Sequence, residues 1–569
     1  MRRNQAPVSR GRRLDIDAGH PHYRWVALSN TTLGVLMATV NSSIVIISLP
    51  DIFRGIGLNP LEPGNVGYLL WMLMGFLVVT AVLVVSLGRL GDLYGRVRIY
   101  SLGFVVFTVS SLALVVDPYA GGAGAMWLIL WRVVQGVGAA MLFANSTAIL
   151  TDAFPPDRRG LALGINQVAA IGGSFIGLIL GGVLAPVDWR LVFGVSVPVG
   201  VLGTTWSYRS LRETATRRRA RVDWCGNTLF GVGLTALLAA ITYGIQPYGG
   251  HTMGWLNPWV VAGIVGGVVL LVAFCVVETR VAEPMFDMGL FGIKAFSAGN
   301  LAGLLASVGR GGLQFMLIIW LQGIWLPLHG YPFDKTPLWA GIFLLPLTVA
   351  FLVAGPVCGS LSDRFGARFF ATGGLVLVAV SFAGLMVLPT DFHYGAFAAL
   401  LVLNGIGSGM FSSPNTTAIM NSVPAARRGA ASGMRGTFFN AGSSLSIGLF
   451  FSLMIAGLAA TLPATLTRGL EAHGVPAGVA SAAGQAPPVA SLFAAFLGYN
   501  PLGTLLGSVP RSQLQGADLR TLTSKSYFPS LISGPFHHGL VIVFVVAIAM
   551  SLVGAVASLL RGSRYVNAD

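Results

Sequence analysis

Apolar runs without any charge recur along this chain. No Asp, Glu, Lys or Arg falls between Glu62 and Arg89, Arg98 and Asp117, Arg159 and Asp188, Arg190 and Arg209, or Arg368 and Asp391. A helix that crosses a bilayer needs roughly 20 apolar residues, and these gaps supply them. The uncharged stretch from Asp223 to Glu278 is longer and carries a Pro/Gly/His break at Gln246–Pro258, so it predicts a hairpin of two spans. The whole pattern predicts fourteen spans, centred near residues 37, 77, 107, 136, 172, 200, 234, 268, 308, 349, 378, 406, 444 and 549.

Composition agrees. With 54% apolar residues, 10% charged and a mean hydropathy of +0.76, the chain lies outside soluble globular norms. Its net charge of +15 would suit a nucleic-acid partner, but the position of the arginines points elsewhere. Arg2, Arg3, Arg10, Arg12, Arg13 and Arg24 precede span one; Arg89, Arg96 and Arg98 follow span two; Arg158 and Arg159 follow span four. Arg209, Arg212, Arg217, Arg218, Arg219 and Arg221 follow span six, and Arg364, Arg368, Arg427, Arg428, Arg561 and Arg564 complete the set. If spans alternate, all lie on one side, as the positive-inside rule requires of the cytoplasmic face. The expectation is a multi-pass protein of the cell (inner or plasma) membrane, with both termini cytoplasmic, no nucleic-acid partner, and the lipid bilayer as its surroundings. Met1–Tyr23 is too polar for a cleavable signal peptide. Cys225, Cys275 and Cys358 are scattered, with neither a disulfide framework nor a metal spacing.

Two stretches echo each other. Gly88-Arg89-Leu90-Gly91-Asp92-Leu93-Tyr94-Gly95-Arg96 returns as Gly359-Ser360-Leu361-Ser362-Asp363-Arg364-Phe365-Gly366-Ala367, and Pro155–Gly160 returns as Pro424–Gly429. Gly136-Val137-Gly138 in span four likewise answers Gly405-Ile406-Gly407 in span twelve. Ordered echoes between apolar helices indicate a duplicated helical unit, the usual construction of carriers. The expected organisation is an N-terminal tail (1–24), a six-helix bundle (25–210), and a basic loop with an inserted hairpin (211–295). Five spans of a second bundle (296–459), an extracytoplasmic segment (460–537), and the last span with its tail (538–569) follow. The 460–537 segment is expected to form an external cap of short helices or to lie on the membrane, and it could receive an extracytoplasmic partner. Asn500-Pro501 would break any fifteenth span there.

The Gly88, Asp92, Gly95, Arg96 loop, with its copy at Gly359, Asp363 and Gly366, resembles the signature loop of the major facilitator superfamily. Its glycines serve a turn, and its Asp can cap a helix or pair with an Arg, holding two bundles together in one state of a transport cycle. Arg132-Val133-Val134-Gln135-Gly136 resembles the span-four motif of the same family. In span five, Gly173, Gly177, Gly181 and Gly182 match the glycines of an antiporter motif found in exporters, with Leu178 where that motif has proline. Trp189-Arg190-Leu191-Val192-Phe193 with Pro198 is similar to the fourteen-span drug:proton antiporter group. The resemblance implies an all-α integral membrane protein: two six-helix bundles plus two additional central spans, exporting drug-like molecules by alternating access.

Span one departs from that pattern. Aligned on Leu49-Pro50, the position of the group's proton-coupling Asp holds Asn41, and an amide cannot exchange a proton near neutral pH. No Asp or Glu lies deep in any expected span. The polar residues expected to face a central cavity are Asn41, Arg132, Gln135, Asn166, Gln167, Arg310, Gln314, Asn404 and Asn440, with Gln322 and Arg435 also in the membrane interior. Fixed positive charge without carboxylate favours neutral or anionic amphiphiles over cations and leaves proton coupling open. An importer of a small nutrient is the alternative. A membrane enzyme is a weaker one: His473, His537 and His538 lie on the expected outer side with only Asp518 nearby and no nucleophile elbow. No P-loop, cofactor motif, metal cluster or catalytic set is expected.

Overall fold

A computed structural model describes residues 22–561 except 60–61, 63–64, 156–158, 214–222, 250, 252, 282–283, 285, 425–426, 508, 510–513 and 515–516. The arginines at 2–13, 158, 217–221 and 564, and the Pro156–Arg158 and Ala425-Ala426 parts of the second echo, therefore lie outside the described residues, as does the side chain of Asp363.

Fourteen helices are long and apolar enough to span a membrane, and each expected centre falls inside one. Spans one to six are Tyr23–Gly55, Asn65–Tyr94, Arg96–Val115, Gly121–Ala153, Ala162–Leu184 and Leu191–Ser210. Spans seven and eight are Trp224–Gly244 and Pro258–Glu278. Spans nine to fourteen are Lys294–Leu328, Phe333–Ser362, Ala367–Val387, Tyr394–Asn421, Ala430–Glu471 and Tyr527–Leu559. In lipid a helix is the one open segment that satisfies all its own backbone groups, which is why apolar runs of this length become helices.

The duplication read from the loops is repeated in the packing. Span one lies on five and span four on two and three; in the second half nine lies on thirteen and twelve on ten and eleven. The Gly-x-Gly echo explains how. A Cβ on Gly136 would stand 2.8 Å from the Phe76 carbonyl oxygen of span two, and one on Gly405 would stand 2.2 Å from the Leu347 oxygen of span ten. Gly138 and Gly407 bring in spans three and eleven in the same way. Backbones approach this closely in lipid because van der Waals contact and hydrogen bonds hold the helices where the hydrophobic effect does not. The inserted hairpin docks through span seven onto spans two and thirteen.

One expectation needs correcting. The helix of span thirteen begins at Arg428 and continues unbroken to Glu471, 44 residues, while that of span fourteen starts at Tyr527. At 1.5 Å per residue the former is about 66 Å long, more than twice the roughly 30 Å hydrocarbon core. The two helices project together, pinned where Tyr527 Oη donates to the Gly469 carbonyl at 2.9 Å, so the intervening segment is 472–526 rather than 460–537. It contains short helices, two of which, Ala477–Gly484 and Pro488–Phe496, meet at 84°. Every residue of Pro488–Phe496 is buried. Asn500 stops the chain as expected: its Nδ2 donates to the carbonyls of Leu522 and Ser524, both at 2.9 Å, and its Oδ1 caps Leu502 N.

Candidate functional site

The residues expected in one cavity fall into two sets. Arg132 is 1% exposed and lies wholly inside the first bundle. Its Nη1 donates to Asn41 Oδ1 and, at 2.8 Å, to Gln135 Oε1; its Nε donates to the Met72 carbonyl at 3.3 Å; and its guanidinium sits 4.4 Å above the Phe76 ring. Gln135 then donates to Ser111 Oγ at 2.8 Å, and Asn41 to Ser196 Oγ at 3.3 Å. Spans one, two, three, four and six are thus tied by one buried network. Neutral oxygens and an aromatic face accommodate the charge, so Asn41, Arg132 and Gln135 line neither of the two cavities below. Asn166 donates to Ser146 Oγ of span four at 3.2 Å, Gln167 is exposed, and Asn440 is half-buried; none of these lines either cavity.

Arg310, Gln314 and Asn404 do. A cavity of about 530 Å³ lies between the bundles, walled by Ser174, Phe175 and Leu178 of span five and by Arg310, Gln314, Phe351 and Asn404 of the second bundle. It shares Arg310, Phe351, Asn404 and Ser408 with a larger one of about 770 Å³ within the second bundle. That cavity has rings from Phe382, Phe411, Phe438 and Phe439, polar groups from Asn300, Asn415 and Thr416, and Arg435. No carboxylate among the described residues lines either. The Arg310 guanidinium rests 4.5 Å over Phe351 and makes no ion pair or hydrogen bond among the described residues. Among the described residues Arg435 reaches only Thr416 Oγ1, at 3.5 Å, and its buried Nε is unpaired. The aromatic walls and Asn415 were invisible in sequence because every span carries such residues; the polar run Ser412-Ser413-Pro414-Asn415-Thr416 in span twelve was the available signal.

The span-five glycines also divide. A Cβ on Gly177 would lie 2.4 Å from the Val40 carbonyl oxygen, so this face seats span one, as do Gly173 and Gly181. Gly182 faces the other bundle, where a Cβ would stand 2.4 Å from Leu338 Cα of span ten. Nearby, Gln322 donates to the Ile47 carbonyl at 3.3 Å from a π-helical turn, Leu321–Trp325, in span nine. Phe496 of the 472–526 segment packs on Gly323 of that same turn. The bundles are therefore sealed at this end. Toward the arginine-bearing end, Gly164 and Gly172 of span five and Gly355 of span ten meet nothing within 4 Å, although Gly433 of span thirteen still reaches Val85 of span two.

At the signature loop, Arg96 Nε pairs with Asp92 at 2.7 Å and its Nη1 with Asp152 at 2.7 Å. Asp92 thus pairs with an arginine, as expected, and in this form the pair lies within the first bundle. Gly95 (φ 114°) and Gly366 (φ 93°) make the matching turns in a backbone region that side chains disfavour. On the opposite side, His473 Nδ1 lies 3.0 Å from Tyr527 Oη and 2.9 Å from the Gly469 carbonyl oxygen. The Asp518 carboxylate accepts from the Thr521 side chain and from Thr521 N, which together hold its pKa below the ordinary range. These are helix-end bonds, not a shared acid–base pair.

Comparisons with known proteins agree with this geometry. The chain is 25% identical over 437 residues to the riboflavin transporter RibZ of Clostridioides difficile, covering 76% of this chain and 89% of that one. It is 30% identical over 475 residues to the methyl viologen resistance protein SmvA of Salmonella typhimurium (82% and 89%). To the tetracenomycin C resistance and export protein of Streptomyces glaucescens it is 27% identical over 441 residues (77% and 77%). Its fold superposes on a bacterial homologue of the human lysosomal transporter Spinster, in an inward-facing and unoccupied conformation, with TM-score 0.59 at 16% identity over 95% of this chain and 98% of that one. The family model of the Major Facilitator Superfamily matches residues 31–224 and 226–447. The chain is a multi-pass membrane transporter that belongs to the Major Facilitator Superfamily.

Proposed function

We propose that this transporter exports drug-like amphiphilic molecules, neutral or anionic in preference to cationic, by alternating access between its two bundles. One observation carries the reading: the interbundle cavity is walled on one side by span five, holds Arg310, and has no carboxylate among the described residues. A fixed cation in a low-dielectric cavity repels cationic substrates. The seal at Gly182–Leu338 and the parted glycines of spans five and ten support a form open toward the arginine-rich side, cytoplasmic by the positive-inside rule. The relatives named for resistance and export support the outward direction; the riboflavin transporter keeps import as the second reading.

Purified protein in liposomes tests this. A lipophilic anion should be carried faster than a cation of matched size, and Arg310→Gln should reduce anion transport. Robust cation transport that survives Arg310→Gln, with no anion transport, would overturn it. No carboxylate among the described residues lines either cavity to couple transport to protons, so an imposed pH gradient is the second variable.

A further inference from the structure

We infer that the larger cavity is a headgroup site: the second bundle alone holds an acidic group (sulfonate, carboxylate or phosphate) between Arg310 and Arg435, while the apolar body lies in the adjoining cavity against span five. This rests on the transport reading and specifies where within it the charge is held. Arg310 belongs to both cavities, with no acceptor of its own among the described residues. Arg435, which lines the larger cavity and not the smaller, has a buried Nε without a partner. Asn404, 2% exposed, lines both cavities with its Nδ2 unpaired. Behind the same wall, Arg561 donates one Nη2 to Asn415 and leaves Nε and Nη1 buried and unpaired. The unsatisfied groups of these four residues are all donors. Buried donors are normally paired, and an oxyanion supplies several acceptors to them at once. Arg132, in the first bundle, shows the alternative, since its Nε and Nη1 donate to protein oxygens. The ring faces of Phe382, Phe411 and Phe438 give the apolar stem a wall.

The test is binding, separate from transport. Detergent-purified full-length protein is titrated with three fluorescent probes that share one naphthalene body and carry a sulfonate, a carboxamide or a trimethylammonium head. The sulfonate should bind about tenfold more tightly than the ammonium, the scale of one buried charge-assisted contact. Arg310→Gln and Arg435→Gln should each weaken the sulfonate about tenfold and leave the carboxamide within about twofold. Arg310→Lys and Arg435→Lys, which keep charge, serve if a Gln variant does not fold. Equal binding of the three heads, or sulfonate affinity unmoved by both folded substitutions, overturns the proposal. Anion-preferring transport without head-selective binding would sink the headgroup site and spare the export reading; selective binding without transport would do the reverse. Competition identifies the source of the head: displacement by an anionic glycerophospholipid marks a lipid headgroup, and displacement by a soluble alkyl sulfonate alone marks a free amphiphile.

Discussion

Arg132 and Arg310 are identical side chains placed in opposite circumstances, and substitutions should separate them. Arg132→Leu strands Asn41 Oδ1 and Gln135 Oε1 inside the first bundle. An unpaired buried group costs about 1–3 kcal/mol in water-soluble proteins, and interhelical bonds in membranes about 0.6–2 kcal/mol. A loss of about 2–4 kcal/mol is expected, read as a lower midpoint of thermal unfolding in detergent. Arg310→Leu strands nothing, so its midpoint should hold or rise while anion transport falls. Asn41→Asp sets a carboxylate directly on Arg132, away from both cavities, and should leave dependence on an imposed pH gradient unchanged; a new dependence in liposomes would refute that. Asp117, in the loop between spans three and four, supplies the pH test. Burial raises its pKa, against the opposing bond from Tyr119 N and the charge of Arg190, and Oδ2 is unpaired. A raised carboxyl pKa contributes stability below the unfolded value and loses it as pH rises through the folded one. Asp117→Asn keeps the Tyr119 bond, so it should raise the unfolding midpoint at pH 7, with the gain vanishing as pH falls below the ordinary carboxylate range.

Among the elements, span five touches both bundles through glycine. Gly177 and Gly182 lie one helical turn and a residue apart, yet one seats a partner within its own bundle and the other meets span ten. Gly182→Val drives a side chain into the Leu338 backbone, and overpacking costs about 1–3 kcal/mol. Charged to the sealed form alone, that shifts the conformational equilibrium by about 5–150-fold. Transport should fall, and a cysteine reporter near Leu338 should become more reactive toward a membrane-impermeant reagent. Gly177→Val should instead reduce folded yield, because its clash lies within a bundle that must pack in every state. The 472–526 segment belongs at this scale too. Its Pro488–Phe496 helix contacts span two as well as the π-helical turn of span nine, so separation of the bundles at this end has to release one of those contacts.

For the molecule as a whole, the duplicated packing makes two rigid bodies of nearly equal build, and asymmetry between them is where function enters. The first bundle spends its arginine on holding five helices together; the second leaves its arginines facing open space. Motion of one body against the other should expose the arginine-bearing end and the capped end in alternation. In a cysteine-free background, Gly164→Cys and Gly355→Cys should be labelled from the arginine-bearing side by an impermeant reagent, and Gly341→Cys should not. Addition of a transported anion should lower the labelling rate; equal labelling of all three would contradict a seal at Gly182–Leu338.

Helix number, the duplication, the side on which arginines collect and the signature loops were legible in the sequence, because lipid imposes those features on any chain that crosses it: runs of one length, uncharged, with glycines where backbones touch. The break at Asn500-Pro501 was legible for the same local reason. Which polar residue faces which neighbour was not. Arg132 and Arg310 both read as charges in a membrane, and only the tertiary structure supplied an amide and a carbonyl to one and an open cavity to the other. The lengths of spans thirteen and fourteen also escaped, since Ala460–Glu471 and Tyr527–His537 continue two helices that pack on each other, a contact between residues far apart in the chain. Solvent polarity writes a one-dimensional pattern along the chain, whereas the pairing of buried polar groups depends on contacts between residues far apart in it.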